Sequence, residues 1–264
     1  MKNTIYIGDI AGRLKELKKV YNKYRSKKKI CLGDLQDRGL YSKQVLDFLM
    51  SRDDTKALFG NHEQLFVLFM ETEEFSEDWV TFLMNGGLET IASYLKGRSK
   101  NKFLKLKDEI RFYIGMYWNT YVIRYKINYK HEDFYESREY LENKYKIDST
   151  IEYLKHVRKQ IPQKYVDYIK SLPRYIETDE IIISHAPVSH YPLDKRETQF
   201  DDFIWNRTRI PNLEKDNIHG HNTYRSVKKL DNGKRFICVD DCGRDRLNIY
   251  DWDEQSFDSF PYED

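Results

Sequence analysis

Five breaks in the sequence place carboxylate, amide or imidazole side chains directly after an apolar run. They are Gly8-Asp9, Gly33-Asp34, Gly60-Asn61-His62, Ser184-His185 and Gly220-His221. Oxygen and imidazole donors are ligands for divalent cations, and glycine lets the backbone turn sharply beneath an ion. Each break alone is typical of an ordinary turn or helix cap. Their recurrence in this order indicates a dinuclear metal site, in which one carboxylate bridges two ions that activate water.

The elements that carry these residues predict an α/β fold. In the first 62 residues, the apolar stretches TIYIGD, KKICLGD and TKALFGN alternate with segments of helical periodicity. This β-α-β-α-β order is typical of open sheets whose sites lie at the carboxyl ends of parallel strands. Strands resume at DEIIISHAP. The last predicted strands, in KRFICVDD and LNIYDWD, suggest antiparallel hairpins, with a turn at Asp231 to Gly233.

A long helical stretch interrupts the alternation from Glu63 to about Arg174. We expect one domain over residues 1–264, with residues 63–174 forming a mostly helical insertion within it. Basic residues outnumber acidic ones between 96 and 130, so this region could face a polyanion. Tyrosines recur there every four residues, a spacing that favours a packed helix face over base stacking: Tyr113, Tyr117, Tyr121, Tyr125 and Tyr129.

The composition says more about the cellular compartment of the protein than about its binding partners. The formal net charge is only +2, from 45 basic and 43 acidic residues, and it favours no partner. The three cysteines show no paired zinc spacing, and their odd number argues against a disulfide framework. No stretch approaches the roughly 18 to 20 apolar residues of a membrane helix. The sequence therefore predicts a cytoplasmic protein without a membrane partner, and it predicts no oligomeric state.

A known family shares these motifs. The segments GDI, GDLQDRG, GNHE, HAP and HGHN resemble, in order and approximate spacing, the signatures of calcineurin-like metallophosphoesterases. The similarity is greatest to the bacterial and phage branch of the phosphoprotein phosphatases, which includes diadenosine tetraphosphatase-like enzymes. NGGLETIASY and IWNRTR resemble two further segments of that branch. The resemblance implies two packed central β-sheets flanked by helices, and hydrolysis of phosphate esters.

The resemblance also implies a role for each matching metal-binding residue. Asp9 would bind the first metal ion, and Asp34 would bridge both ions. Asn61, His185 and His221 would complete the second site. The cofactor would be two divalent ions, with manganese expected and iron or zinc as alternatives, because mixed oxygen and imidazole donors discriminate weakly among these ions.

Further matching residues would act on the phosphate. Arg38 and Arg207 would hold it through their planar guanidinium groups. His62, oriented by Asp37, would be the general acid that protonates the leaving oxygen. Simpler interpretations stay open at three positions. Arg38 could pair locally with Asp37. Glu63 could be a helix-start residue, and His219 could be a hydrogen-bonded neighbour rather than a metal ligand.

One residue departs from the family pattern. The first family motif reads Gly-Asp-x-His-Gly, whereas this chain has Ala11 at the histidine position. Loss of that imidazole should weaken the first metal site, since even indirect changes cost about 10- to 100-fold in affinity or activity. The chain could be a natural pseudo-phosphatase or a variant in which histidine was replaced to trap a ligand. The otherwise intact site favours the second explanation.

Three functions follow as alternatives. The family resemblance favours a protein serine/threonine phosphatase. The basic and tyrosine-rich insertion, with the loop from Val188 to Phe203, would instead suit a dinucleoside polyphosphate or a cyclic or linear oligonucleotide, since phosphates need charge and bases need flat surfaces. The alanine at position 11 leaves open a non-catalytic protein that binds a phosphorylated ligand.

Overall fold

The computed structural model describes residues 2–121, 138–188, 202–208, 213–240 and 245–263. Its strands are β1 (Thr4–Ile7), β2 (Lys28–Cys31), β3 (Thr55–Ala57), β4 (Tyr175–Glu177), β5 (Ile181–Ser184), β6 (Asp216–His219), β7 (Ser226–Lys229), β8 (Arg235–Cys238), β9 (Arg246–Asp251) and β10 (Ser256–Pro261). Its α-helices are α1 (Leu14–Lys23), α2 (Ser42–Met50), α3 (Asn61–Glu71), α4 (Glu77–Phe82), α5 (Leu88–Tyr94), α6 (Gly97–Tyr121), α7 (Arg138–Arg158), α8 (Gln163–Ser171) and α9 (Asp202–Trp205). A kinked segment, Leu83–Gly87, joins α4 to α5, and Asn85 and Gly86 within it have non-helical backbone angles.

The strands form two mixed five-stranded sheets, in the orders β10-β9-β1-β2-β3 and β4-β5-β6-β8-β7. Strands β1, β2 and β3 are mutually parallel, as are β5, β6 and β8, and antiparallel strands complete each sheet. The predicted α/β fold with two central sheets is therefore confirmed. Its parallel strands direct their carboxyl ends toward one region, where the polar breaks of the sequence lie.

The inner faces of the two sheets share an apolar layer, which explains why the central strands are apolar throughout. Tyr6 and Ile30 of the first sheet contribute to this layer with Ile183 and Ile218 of the second. The intervening residues, such as Ile5, belong instead to the larger core that includes the helices. Strands covered on both faces read as continuous hydrophobic runs.

The predicted turn at Asp231 to Gly233 is present, and antiparallel hairpins occur in the last part of the chain as expected. The backbone N–H of Leu230 donates to the carbonyl of Lys234 at 2.7 Å, and Gly233 has φ 82°, so this turn joins β7 to β8. The antiparallel hairpins expected in this part of the chain are β7 with β8 and β9 with β10. Strand β8 is parallel to β6 in the second sheet, whereas β9 is antiparallel to β1 in the first. Local sequence encodes a turn, while strand partners depend on distant residues.

The segment between β3 and β4 is mostly helical in its described parts, residues 58–121 and 138–174, with short non-helical connections between the helices. Tyr113 is buried, and Tyr117 packs edge-on against Phe75 with ring centroids 4.8 Å apart. The packing interpretation is confirmed for these two tyrosines. The Tyr121 side chain, the tyrosines at 125 and 129, and most of the 188–203 loop lie outside the described residues. None of the described helices combines the length and apolar character needed to cross a membrane.

The cysteines that can be placed are not cross-linked. Cys31 and Cys238 are buried and free, and Cys242 lies outside the described residues. Burial raises the pKa of both thiols, that of Cys31 to about 12. Both therefore behave as small apolar side chains of the core. The cytoplasmic location stays a prediction.

Candidate functional site

The carboxyl ends of four parallel strands and the start of one helix meet at a buried polar cluster. Asp9 follows β1, Asp34 follows β2, and His185 and His221 follow β5 and β6. Asn61 begins α3, just beyond β3. All five side chains are at most 5% exposed. The structure thus brings together every residue that the sequence nominated as a metal ligand.

Three of these residues form a compact donor set. One donor atom each from Asp34, His185 and His221 lies within 4.8 Å of the other two. Nε2 of His185 lies 3.3 Å from Oδ1 of Asp34, 2.8 Å from Oδ1 of Asn61 and 3.2 Å from Nδ1 of His221. The Nδ1 of His185 donates to the carbonyl of Leu32 at 2.8 Å, which leaves Nε2 facing the cluster. This arrangement fits a divalent ion.

The charges of the cluster also fit a cation. Burial lowers the pKa of His221 to about 3, so this imidazole is neutral and its ring nitrogens can ligate. Burial alone would raise the pKa of Asp34, but His185, His62 and His221 together lower it to about 2. Burial and the neighbouring Asp34 raise the pKa of Asp9. A divalent ion would relieve this crowding of buried carboxylates.

Strained backbone is concentrated at the cluster. In the described part of the chain, seven non-glycine residues have positive φ, and five of them lie here: Ala11, Asp34, Asp37, Arg38 and His221. Such conformations cost about 1–3 kcal/mol each and persist where the surroundings enforce them, often at functional sites. The backbone at Gly33 also passes close to the His185 ring, because a Cβ there would lie 2.8 Å from Nδ1 of His185.

A histidine–aspartate pair stands beside the donor set. Nδ1 of His62 lies 2.6 Å from Oδ2 of Asp37, whose Oδ1 accepts a hydrogen bond from the Thr90 hydroxyl at 2.5 Å. Nη2 of Arg38 lies 3.2 Å from Nε2 of His62. Burial opposes the charged imidazole, but Asp34 and Asp37 outweigh it and raise the pKa of His62 to about 9. Arg38 therefore contacts His62, and the pairing with Asp37 is made by the histidine.

These groups open into one pocket. It is lined by Asp9, Asp34, Arg38, Asn61, His62, Leu65, Thr81, Asn85, Trp205, Arg207 and His221. Arg207 is fixed there by donating from Nη1 to the carbonyl of His221 at 3.0 Å. Both arginines nominated from the sequence thus face the same space as the donor set. Sequence reasoning assigned no role to Asn85 or Trp205, although both lie in segments that resemble the family.

Glu63 does more than begin a helix. Its carboxylate accepts the backbone N–H of Gly60 at 3.0 Å, as a helix-start residue would, and also those of Asp34 at 2.7 Å and Leu35 at 2.9 Å. Burial and Asp34 raise its pKa to about 8. Glu63 therefore ties the start of α3 to the turn that carries Asp34, a link between distant segments that no local pattern encodes.

Two further groups complete the surroundings. His219 is buried, and its Nδ1 donates to the carbonyl of Gly220 at 2.8 Å, as expected for a hydrogen-bonded neighbour. Asp240, just beyond β8, is fully buried and its side chain hydrogen-bonds to the Asp9 carboxyl. Sequence reasoning passed over Asp240. Its position directly after an apolar strand was the same signal that identified Asp9 and Asp34.

Comparison with known proteins agrees with this geometry. A family model described as calcineurin-like phosphoesterase matches residues 3–225. The chain belongs to the calcineurin-like phosphoesterase family. Proteins of this family are metal-dependent phosphoesterases that normally hold two metal ions, and the donor set described above suits that chemistry.

Solved structures show the same fold. One, described as a "putative diadenosine tetraphosphatase", has 16% identity and a TM-score of 0.52, over 98% of this chain and 92% of that one. Another, a metallophosphoesterase from Sphaerobacter thermophilus, has 12% identity and a TM-score of 0.50, over 98% of this chain and 88% of that one. Such low identities establish the fold alone. No curated protein matches the chain.

Proposed function

We propose that this chain hydrolyses phosphate esters or anhydrides at a dinuclear metal centre. Asp9 and Asp34 would hold the first ion, and Asp34 would share the second with Asn61, His185 and His221. One observation carries the proposal: this buried donor set opens into the same pocket as two arginines and a histidine held by an aspartate. When bound, two divalent ions would supply a water of lowered pKa and offset the phosphate charge.

The two arginines would position the phosphate. Arg38 and Arg207 enter the pocket from different turns, one after β2 and the other after α9. A planar guanidinium can bind two phosphate oxygens at once, which fixes orientation as well as charge. Arg207 is anchored through the carbonyl of His221, so the phosphate would be held at a set distance from the donor cluster.

His62 would protonate the leaving group. As hydroxide, formed when the attacking water loses a proton to solvent, bonds to phosphorus, the bond from phosphorus to the leaving oxygen would break, and that oxygen would take the proton from Nε2 of His62, which solvent then reprotonates. The 2.6 Å contact of Nδ1 with Asp37 orients the ring so that Nε2 faces the pocket. Asp37, which would stay beside Nδ1 when metal ions occupy the cluster, favours the protonated form of His62 by raising its pKa.

A groove beside the pocket gives an indication of the substrate class. It shares Arg207 with the pocket and is also lined by Thr208, Asn222, Tyr224, Ser226, Lys228, Phe236 and Cys238. Cations next to a 60% exposed tyrosine would suit a leaving group with further phosphates and a flat base. This supports a dinucleoside polyphosphate as a second candidate beside a phosphoprotein.

The decisive experiment compares this chain with its Ala11→His form. Both are loaded with Mn²⁺, and phosphate release from an aryl phosphate is measured. We expect restoration of the imidazole to increase turnover by about 10- to 100-fold or more, because a metal ligand is regained. Negligible rates for both, in folded and metal-loaded protein, would overturn the hydrolase proposal and favour a protein that only binds phosphorylated ligands.

The restored form then separates the substrate classes. A phosphoserine peptide, diadenosine tetraphosphate, and cyclic and linear oligonucleotides are compared by kcat/KM. A preference for diadenosine tetraphosphate over the aryl phosphate would support use of the groove. A preference for the phosphopeptide would assign the chain to protein phosphatases.

A further inference from the structure

The short segment that carries Arg207 is anchored to the second sheet. The carbonyl of Phe203 accepts the N–H of Ala186, which lies just after β5, at 2.7 Å. The side-chain amide of Asn206 donates to the carbonyl of Pro187 at 2.9 Å. Phe203 is also fully buried in the larger core. These contacts fix the backbone on both sides of α9 relative to the end of β5.

A further hydrogen bond joins this segment to helix α3. Nε1 of Trp205, the last residue of α9, donates to Oε1 of Gln64. Gln64 lies two residues after His62 on α3, and both Trp205 and His62 line the pocket. The hydrogen bond therefore links the part of the pocket wall that carries Arg207 to the part that carries the proposed proton donor.

The environment of Trp205 shows why this hydrogen bond matters. The side chain is 40% exposed, although tryptophan is on average largely buried. Its ring centroid lies 6.3 Å from that of His221, whose carbonyl accepts the hydrogen bond from Arg207 at 3.0 Å. An exposed ring is fixed less by packing than a buried one, so a directional hydrogen bond from its N–H has more influence on its orientation.

We infer that Gln64 is a positioning residue of the phosphate site, acting through Trp205 to hold Arg207 at a set distance from His62. This inference rests on the proposed function, in which Arg207 and His62 act on the same phosphate group. A hydrogen bond from guanidinium to phosphate depends on distance and angle, and a displacement of about 1 Å at a positioning residue can cost about 10²-fold in rate. Gln64 itself would touch no substrate atom.

The test measures binding of inorganic phosphate to the Mn²⁺-loaded chain by isothermal titration calorimetry. Gln64→Met keeps the length of the side chain but removes the amide acceptor, and Trp205→Phe keeps an aromatic ring but removes the donor. We expect each to weaken phosphate binding about three- to tenfold, as for the loss of one hydrogen bond, and the double variant to weaken it no further. Gln163→Met is the matched control, because Gln163 donates to Asp167 within α8 and its loss should leave phosphate binding unchanged.

A background without the guanidinium separates positioning from a general effect on stability. In Arg207→Gln, the further change Gln64→Met should not alter phosphate binding, because the group that it positions is absent. Thermal unfolding checks that each variant is folded, and Trp205→Phe allows the same comparison if Gln64→Met is not. Unchanged binding in Gln64→Met, or equal weakening with and without Arg207, would overturn the inference while leaving the proposed function intact. A folded, Mn²⁺-loaded parent chain that binds no phosphate would instead overturn the proposed function itself.

Discussion

His62 is held in one orientation by a chain of hydrogen bonds that begins at Thr90. Thr90 donates to one oxygen of Asp37, and the other oxygen lies 2.6 Å from Nδ1 of His62. A second link fixes the backbone of the pair, because the N–H of Asp37 reaches the hydroxyls of Ser42 and Thr90 at 3.1 and 3.0 Å. A buried network in which each member is paired holds a side chain rigidly. A rigidly held imidazole suits the transfer of a proton to a substrate atom at a fixed position.

His62→Gln should therefore reduce turnover in a way that depends on the leaving group. We expect kcat to fall about 10²- to 10⁴-fold with an alkyl phosphate, whose alkoxide leaves poorly without a proton. The loss should be much smaller with a nitrophenyl phosphate. Steady-state kinetics in the Ala11→His background measure both, with the exposed His156→Gln as control. Equal losses for the two substrates would argue that His62 binds phosphate and does not protonate the leaving group.

Residue types at the site could be predicted from the sequence, but their conformations and partners could not. Asp9, Asp34 and His185 stand directly after apolar strands, and that position alone marks them. The positive φ of Asp34 and Arg38 leaves no local trace, since both residue types occur in ordinary backbone elsewhere. The contact of Asp240 with Asp9 likewise depends on pairing between strands far apart in sequence.

The kinked segment Leu83–Gly87, between α4 and α5, packs against the turn that carries Arg38. Its Gly86 has φ 107°, and a Cβ there would lie 2.3 Å from the backbone nitrogen of Arg38. The neighbouring Asn85 lines the pocket. Only glycine permits both this φ and this approach. The segment thus sets the position of the turn that carries Arg38.

Gly86→Ala should displace Arg38. We expect affinity for inorganic phosphate to fall by about tenfold, equivalent to one lost charge-assisted hydrogen bond of roughly 1.4 kcal/mol. Gly233→Ala is the matched control, because Gly233 also has positive φ but has no atom within 4 Å of the added Cβ. Phosphate inhibition and urea unfolding are measured for both. If the two variants lose stability equally and both keep phosphate affinity, the segment has no role in positioning Arg38.

At the level of elements, periodicity predicted what is local. Leu17 and Val20 of α1 recur at helical spacing between the apolar segments of β1 and β2. This pattern was sufficient to predict the parallel part of the first sheet, β1 to β3. The kink at Leu83–Gly87 was not predicted, because the need for it comes from close packing of Gly86 against Arg38, which is distant in sequence. The partners that β8 and β9 take outside their hairpins, β6 and β1, were not predicted either, because they depend on residues far apart in the sequence.

Across the whole molecule, the donor cluster is where the two sheets meet. Asp9 and Asp34 come from the first sheet, whereas His185 and His221 come from the second. The interpretation of residues 63–174 as an insertion stays a prediction. Residues of α3 such as Phe66 and Phe69 belong to the main core, so at least the start of this segment is packed with the first sheet.

A metal ion bound by ligands from both sheets should stabilise the entire fold. An ion that binds only the folded chain adds about 2.7 kcal/mol when its concentration is 100 times its Kd. For a chain of 264 residues this corresponds to an increase in Tm of about 5 to 10 °C. The measurement is thermal unfolding of chelator-treated protein during titration with Mn²⁺.

The matched variant is His221→Asn, which removes one ligand from the second sheet while the first sheet keeps both carboxylates. Its Tm should rise far less with Mn²⁺ than that of the parent, because the ion would then be held mainly by one sheet. Lys215→Ala is the control, since Lys215 pairs with Glu177 away from the cluster and its loss should leave the Mn²⁺ response unchanged. An equal Mn²⁺ response in parent and His221→Asn would mean that the stabilising ion binds elsewhere, and that the cluster does not join the sheets through a metal.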